Sequence, residues 1–219
     1  MEKEKTSNKV KAHQRYKLKD GTIVPGCSTI TGLRAKPMLI KWSNNLGLAG
    51  IDSSKYVDEK AEIGTLAHYL ILQHLSKQKP DTSEYSPAVV DIAENCFLKF
   101  LAWEQKHKIE PILLEAELIS ELEKFGGCVD FYGKVDGVLS LVDFKSCKNI
   151  YDDHFNQIAG YEILLIENNY PVDNRRILRI GRSEDEGFEE KEKKDLSLQK
   201  IIFRSLLTIY HTEKMLKEQ

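Results

Sequence analysis

The stretch that decides the fold reads Gly127-Cys-Val-Asp-Phe-Tyr-Gly-Lys-Val-Asp-Gly-Val-Leu-Ser-Leu-Val-Asp-Phe-Lys145. Two alternating, β-rich runs flank an Asp-Gly pair, which is a strong hairpin signal because a type I′ turn needs positive φ at both central residues. A two-residue turn makes Val135 face Val138, and Asp130 then lies directly opposite Asp143. The hairpin therefore predicts two carboxylates whose Cβ atoms are about 4.5–5.5 Å apart.

Two ionised carboxylates at this separation repel each other, and the repulsion grows where water is excluded. Bulk water, a shared proton or a divalent cation would relieve it, and Mg²⁺ fits because it takes one or two carboxylates and keeps several waters. Lys145 lies two residues beyond Asp143 and is predicted on the same face. Val142 and Phe144 make the other face apolar, which favours a functional pair over two solvated acids. One bulge would shift this register by a residue.

The flanking sequence predicts a mixed order of helices and strands from its apolar spacing, caps and turn residues. N-terminal to the hairpin we expect a smaller hairpin over Tyr16–Pro25 and helices over Pro37–Leu48, Val57–Leu75 and from Pro87 to before Pro111. The other expected elements are a strand over Ile112–Ser120, a helix from Asp152 or Asp153 to Glu167, a strand over Arg176–Ile180, a charged loop over 183–195 and a last helix after Asp195. We therefore predict a single α/β domain over residues 1–219, with a small mixed sheet flanked by helices and an N-terminal helical section.

The composition is that of a globular protein, with 41% hydrophobic and 30% charged residues. A formal charge of −2 excludes a global basic field, so local patches would have to hold any nucleic acid. Residues 1–19 carry six Lys and one Arg against two Glu, and we expect a flexible basic arm, with a phosphate-contacting tail as the alternative. The sequence has neither a membrane-length apolar run nor a signal-like N-terminus, so we expect a cytoplasmic protein without membrane contact.

Four motifs occur in order along the chain: Gly64-Thr-Leu-Ala-His68, Gly127-Cys-Val-Asp130, Val142-Asp-Phe-Lys145 and Gln157-Ile-Ala-Gly-Tyr161. Together they resemble the PD-(D/E)XK nuclease superfamily, specifically its RecB-like, phage-type exonuclease branch. Asp20–Thr31 and Leu39–Trp42 resemble the N-terminal part of phage-type members, so the resemblance covers nearly the whole chain. Val129 stands where the family has its name-giving Pro, a departure that leaves the Asp in place.

The resemblance implies a restriction-endonuclease-like core and a divalent-metal-dependent deoxyribonuclease. It favours an exonuclease that processes linear DNA ends in phage or mobile-element recombination or repair, in a bacterial or phage-infected cell. It implies the metal ligands His68, Asp130, Asp143 and the carbonyl of Phe144, with Mg²⁺ or Mn²⁺ as the ion. It also implies catalytic roles for Asp130, Asp143, Lys145, Gln157 and Tyr161, with Glu117 as a supporting acid. No Cys follows Cys147, so the iron–sulfur cluster of some relatives is not expected.

Several alternatives stay open at this point. The same site would serve an endonuclease, and a catalytically silent nucleic-acid-binding relative or a protein-interaction domain would keep the fold. Lys145 alone is compatible with a plain salt bridge, and a lone His such as His68 is more often a core residue than a ligand. Glu115 alternates onto the same face as Glu117, so the pattern does not choose between them. A homo-oligomer and a recombination partner protein are equally open.

Overall fold

The computed structural model describes residues 15–219. Residues 1–14, which make up most of the expected basic arm, lie outside the described residues. The elements are β1 (Tyr16–Lys17), β2 (Ile23–Val24), α1 (Cys27–Thr31), α2 (Pro37–Leu48), α3 (Ser53–Leu75), α4 (Pro87–Glu104), β3 (Ile109–Ser120), β4 (Phe125–Val135), β5 (Val138–Lys145), α5 (Asp152–Glu167), β6 (Asn174–Ile180), β7 (Phe188–Lys193) and α6 (Ser197–Lys217). Of the helices in this part of the chain, none combines the length and apolar character that crossing a membrane requires.

One five-stranded sheet organises the molecule, in the order β3-β4-β5-β6-β7. Strands β5 and β6 are parallel, and the other neighbours are antiparallel. A parallel pair needs a crossover connection, and α5 supplies it. Helices cover both faces, and α1 to α4 precede the sheet in the chain, so the predicted α/β class with a small mixed sheet and an N-terminal helical section is confirmed.

Two apolar cores lie on opposite sides of the sheet. The first, which we call the α5 face, joins the sheet to α1, α5 and α6 and includes Cys27, Leu141, Tyr161, Ile177 and Phe203. The second, the α3 face, joins the sheet to α3 and α4 and includes Leu66, Phe100, Val142, Phe144 and Leu178. Consecutive residues of β5 and of β6 enter opposite cores, as the pleat requires.

The central hairpin has the predicted turn. Asp136 and Gly137 both have positive φ, at 52° and 84°, and Val135 pairs with Val138. The β4–β5 pairing ends at Phe131 opposite Val142, one pair before the two aspartates. The smaller hairpin of β1 and β2 is also confirmed.

One element contradicts its prediction. The segment interpreted as a charged loop over 183–195 contains strand β7, which pairs antiparallel with β6. Arg176 contacts Glu190 and Glu192 at 2.7 Å, and Arg179 Nε donates to Glu189 at 3.1 Å. These cross-strand ion pairs stabilise an edge strand whose own residues have low β propensity.

Candidate metal centre

Three side chains from three elements converge at one end of the β4–β5 hairpin. His68 of α3, Glu115 of β3 and Asp130 of β4 each offer a ligand atom, and these atoms all lie within 4.8 Å of one another. His68 Nδ1 is 3.6 Å from Asp130 Oδ2 and 3.8 Å from Glu115 Oε1. Carboxylate oxygens suit Mg²⁺ and imidazole suits first-row transition ions, so the donor set fits a divalent cation such as Mg²⁺ or Mn²⁺. We call these three residues the metal group.

A glycine explains how α3 brings His68 to the sheet. A Cβ added at Gly64 would lie 2.7 Å from Ser146 Oγ, just beyond the end of β5. Because Gly64 has no side chain, α3 approaches the sheet closely there, and His68 follows one helical turn later. The imidazole then packs edge-on against Phe144, with ring centroids 5.8 Å apart. The spacing of this motif therefore has a packing reason as well as a chemical one.

The backbone of β3 selects Glu115 over Glu117. Leu114 pairs with Phe131 and Ala116 with Val129, but Glu115 between them has a φ of +43° and leaves the ladder. This rare conformation for a non-glycine residue redirects the side chain. Glu117 is exposed and lies outside the metal group, so the acid that β3 contributes is Glu115.

Strand β4 rotates at the same level. Val129 packs in the core of the α5 face, whereas Phe131 packs in the core of the α3 face, so the alternation breaks at Asp130. Asp130 Oδ2 accepts the backbone N–H of Phe144 at 2.8 Å, at the level where the β4–β5 pairing has already ended. The Asp130 carboxylate thus accepts a backbone hydrogen bond from β5 and also lies beside the His68 imidazole. Phe144 donates its backbone N–H here, while its ring packs in the core of the α3 face.

Asp143 forms a second unit beside the metal group. It is 1% exposed, and its Oδ2 lies 2.6 Å from Lys145 Nζ. Its neighbour Leu141 packs on the α5 face, and Asp143 points to that side by alternation. Among residues 15–219, Asp143 does not join the 4.8 Å group. The structure therefore brings Asp143 together with Lys145, and His68 together with Asp130, as adjacent units.

The electrostatics of both units reflect crowded negative charge. Burial raises the pKa of Asp143 to about 6, and the charge of Asp130 adds to the rise while Lys145 opposes it. Burial and Asp130 likewise raise the pKa of Glu115 to about 7. For Lys145, burial opposes the charged form, but Asp143 and Asp130 outweigh it and raise its pKa. Since one ammonium responds to both acids, Lys145 links the two units.

The α5 helix borders the Asp143 side of the site. Gln157 Nε2 donates to Tyr161 Oη at 2.7 Å, one helical turn apart. Tyr161 is buried, and a Cβ added at Gly127 would lie 2.8 Å from its ring, so this glycine permits the contact. Burial, with the charges of Cys27 and Asp143, holds the pKa of Tyr161 well above its usual value. Tyr161 therefore stays protonated near Asp143.

One neighbour of the metal group had no sequence signal as a site residue. Cys128 donates its thiol to Glu115 Oε2 at 3.4 Å, and this contact orients the glutamate. Cys128 lies two residues before Asp130 on β4. A lone Cys without a metal-type spacing gives no reason to expect this position.

Comparisons with known proteins give little further information. No family model matches the chain, and no curated protein matches it significantly. The solved structure of LHK-Exo in complex with dAMP is similar at a TM-score of 0.45 and 10% identity, covering 89% of both chains. The alkaline exonuclease LHK-Exo from Laribacter hongkongensis is similar at a TM-score of 0.41 and 10% identity, over 72% of this chain and 81% of that one. Similarity at this level carries no functional argument.

Proposed function

We propose that this protein is a divalent-metal-dependent deoxyribonuclease, and specifically an exonuclease that processes linear DNA ends in phage or mobile-element recombination or repair. The observation that carries the proposal is the metal group of His68, Glu115 and Asp130 beside the Asp143–Lys145 pair. Three carboxylates accompany one ammonium and one imidazole in these two units, so a divalent cation would balance the charge. The ordered motifs that resemble the PD-(D/E)XK nucleases support the same chemistry.

The residues would divide the work of phosphodiester hydrolysis. His68, Glu115 and Asp130 would hold the ion, with Asp143 and the Phe144 carbonyl as further candidate ligands. A bound divalent ion polarises the scissile phosphate and lowers the pKa of a coordinated water. Lys145, fixed at 2.6 Å by Asp143, would place positive charge where the phosphate gains negative charge in the transition state. Gln157 and Tyr161 would position Lys145 and the strand from the side of α5.

Hydrolysis of defined substrates tests this function. Purified protein is incubated with end-labelled linear duplex DNA and with closed circular DNA, each with Mg²⁺, Mn²⁺ or EDTA. We expect metal-dependent degradation of the linear DNA and no change in the circle. Nicked or linearised circles would indicate an endonuclease with the same site. Binding of both DNAs without hydrolysis under any metal would indicate a catalytically silent relative and would refute the proposal.

A further inference from the structure

The part of β4 that leads to Asp130 has a neighbouring strand of the sheet on one side only. Strand β3 pairs with β4 along most of its length, whereas β5 pairs with it only from Phe131 onward. Residues 125–130 therefore have one edge that β5 does not cover. Backbone N–H groups along a largely buried strand need hydrogen-bond partners, so another part of the protein must meet this edge.

The N-terminal hairpin of β1 and β2 meets this edge. The Gly126 N–H donates to the Pro25 carbonyl at 2.9 Å, and Gly26 and Gly126 form a parallel bridge. At the turn of the hairpin, the Lys19 N–H donates to the Glu121 carboxylate at 2.9 Å. These contacts join the hairpin to β4 and to the turn between β3 and β4, so the hairpin is held against the strand that carries the metal group.

Tyr16 of β1 packs directly on β4. Its ring occupies the space that side chains at two glycines would fill, because an added Cβ would lie 2.4 Å from Tyr16 Cγ at Gly126 and 2.8 Å from Tyr16 Cε2 at Gly26. Two residues beyond Gly126, the backbone of Cys128 hydrogen-bonds the Tyr16 hydroxyl. Burial outweighs this bond and raises the pKa of Tyr16, so its hydroxyl stays protonated. Tyr16 therefore fixes β4 both by ring packing and by a hydrogen bond.

Cys128 connects this contact to β3. It pairs with Glu117 in the β3–β4 ladder, and its thiol reaches diagonally to Glu115, where it donates to Oε2 at 3.4 Å. The other Glu115 oxygen, Oε1, lies 3.8 Å from His68 Nδ1. Because Glu115 leaves the ladder with a φ of +43°, its side chain depends on such contacts for its orientation. One oxygen of this carboxylate thus faces the thiol, and the other faces the metal group.

We propose that Tyr16 and Cys128, which we call the positioning pair, hold the Glu115 carboxylate in the orientation that a divalent ion in the metal group requires. The inference rests on the metal dependence of the proposed function, although neither residue belongs to the metal group. Tyr16 fixes the backbone of β4 at Cys128, and Cys128 fixes one oxygen of Glu115, so the other oxygen stays beside His68. Removal of a group that hydrogen-bonds a metal ligand typically weakens metal binding by tenfold or more.

Binding of Mn²⁺ in the absence of DNA tests the positioning pair. Isothermal titration calorimetry compares wild type with Cys128→Ala, Cys128→Ser and Tyr16→Phe. Cys128→Ala removes the donor to Glu115 and should weaken Mn²⁺ binding by about tenfold. Cys128→Ser keeps a donor at this position and should restore most of the affinity. Tyr16→Phe keeps the ring but loses the hydroxyl, and it should weaken binding severalfold, because its effect reaches Glu115 only through Cys128.

Two comparisons separate positioning from general stability. Tyr132→Phe is the matched control, because the Tyr132 hydroxyl also bonds the backbone, at the Pro171 carbonyl, and Tyr132 lies outside the metal group. Urea denaturation should show a similar loss of stability in Tyr132→Phe and Tyr16→Phe, but only Tyr16→Phe should lose Mn²⁺ affinity. The double variant Tyr16→Phe/Cys128→Ala should bind Mn²⁺ as Cys128→Ala does, because both changes interrupt one series of contacts. Additive losses, or equal Mn²⁺ affinity in the two Tyr→Phe variants, would overturn the role of Tyr16.

An infrared measurement of the thiol is independent of the metal and of hydrolysis. The S–H stretching band of Cys128 is identified by its absence from Cys128→Ala. In wild type and Tyr132→Phe it should have the lower frequency of a hydrogen-bonded thiol, and in Tyr16→Phe it should shift toward the frequency of a free thiol. An unchanged band in Tyr16→Phe would overturn the proposal.

The outcomes distinguish this inference from the proposed function. If wild type hydrolyses linear DNA while Cys128→Ala and Tyr16→Phe keep its Mn²⁺ affinity, the positioning role is wrong and the nuclease stands. If wild type binds Mn²⁺ but hydrolyses no DNA, and both the affinity and the S–H band change as expected, the nuclease is wrong and the positioning role stands.

Discussion

Two regions on the α5 side of the sheet each contain a nearly fully buried carboxylate in contact with a lysine. The two regions differ in the charge of the other side chains around the carboxylate. Asp143 contacts Lys145 at 2.6 Å, and Glu162 contacts Lys200 at 2.7 Å. Around Glu162 the second neighbour is a cation, Arg175, which also donates to two backbone carbonyls. The buried Glu162 carboxylate in this structural cluster therefore lies between two cations of the chain itself.

Around Asp143 the neighbours are acids. Asp130 and Glu115 add negative charge, and the pKa values of Asp143 and Glu115 rise to about 6 and 7 as burial and this repulsion act together. Crowding of like charge costs stability, and Lys145 and His68 oppose only part of the rise in these pKa values. The difference teaches that buried ion pairs alone do not identify a site, whereas an excess of one sign points to a missing ligand of the other sign.

The two lysines provide the largest expected contrast. If Lys145 places positive charge at the phosphate as proposed, Lys145→Ala should reduce hydrolysis of linear DNA by about a hundredfold to a thousandfold. Lys200→Ala removes the matching contact from the structural cluster and should retain the wild-type rate. Initial rates on end-labelled duplex with Mn²⁺ measure both, with circular dichroism to verify folding. Asp143→Ala should behave like Lys145→Ala, and wild-type digestion by either variant would remove these residues from the catalytic site.

For stability we expect the reverse contrast: replacing Glu162 in the structural cluster should be costly, whereas replacing Glu115 in the metal group should not. Glu162→Ala leaves Arg175 buried without its carboxylate and should lower the free energy of unfolding by about 3–5 kcal/mol. Glu115→Gln removes a repelling charge and should cost nothing in EDTA at neutral pH. Urea denaturation at pH 7.5 compares the two variants with wild type. A large loss of stability in Glu115→Gln would mean that Glu115 is structural, and the contrast between the regions would fail.

Two histidines of α3 extend the comparison to metal binding. His68 belongs to the metal group, whereas His74 pairs with Glu104 at 2.7 Å, away from it. His68→Ala should weaken Mn²⁺ binding by at least about tenfold, since loss of even an outer partner of a metal ligand has an effect of that size. His74→Ala should leave the Mn²⁺ affinity unchanged. Isothermal titration calorimetry with Mn²⁺ measures both variants against wild type. Equal Mn²⁺ affinity in both variants would exclude His68 as a ligand.

Much of the fold could be predicted because its signals are local. The Asp136-Gly137 turn specifies the hairpin, and Ser86 before Pro87 caps α4 as its sequence indicates, with the Ser86 hydroxyl accepting from Val89 N–H. Strand β7 could not be predicted, since its Glu and Lys residues form a strand only against the arginines of β6. The pairing that stabilises β7 is a tertiary contact that no local window contains.

The site was partly predictable for the same reason. The motifs place His68 and Asp130 in one group, but the choice between Glu115 and Glu117 depends on one positive φ, which alternation does not encode. The separation of Asp143 from the metal group follows from the rotation of β4 between Val129 and Phe131. A regular ladder, which is all that a sequence pattern describes, would have placed both aspartates on one face.

A further expected effect is a pH dependence of stability that separates Glu115 from Glu117 on the same strand. The pKa of Glu115 rises from 4.5 in the unfolded chain to about 7, so between these values the native state holds a proton that the unfolded state has lost. The unfolded state binds fewer protons there, and stability in EDTA should fall as pH rises from about 4.5 to 7. Urea denaturation at pH 5 and pH 7.5 should show this fall in wild type and in Glu117→Gln, but a smaller one in Glu115→Gln. Saturating Mn²⁺ should counteract the fall in wild type, because the ion takes the place of the proton. If the free energy of unfolding of Glu115→Gln has the same pH dependence as that of wild type, the crowding of acids at Glu115 does not affect stability. The two regions would then not differ in the way proposed.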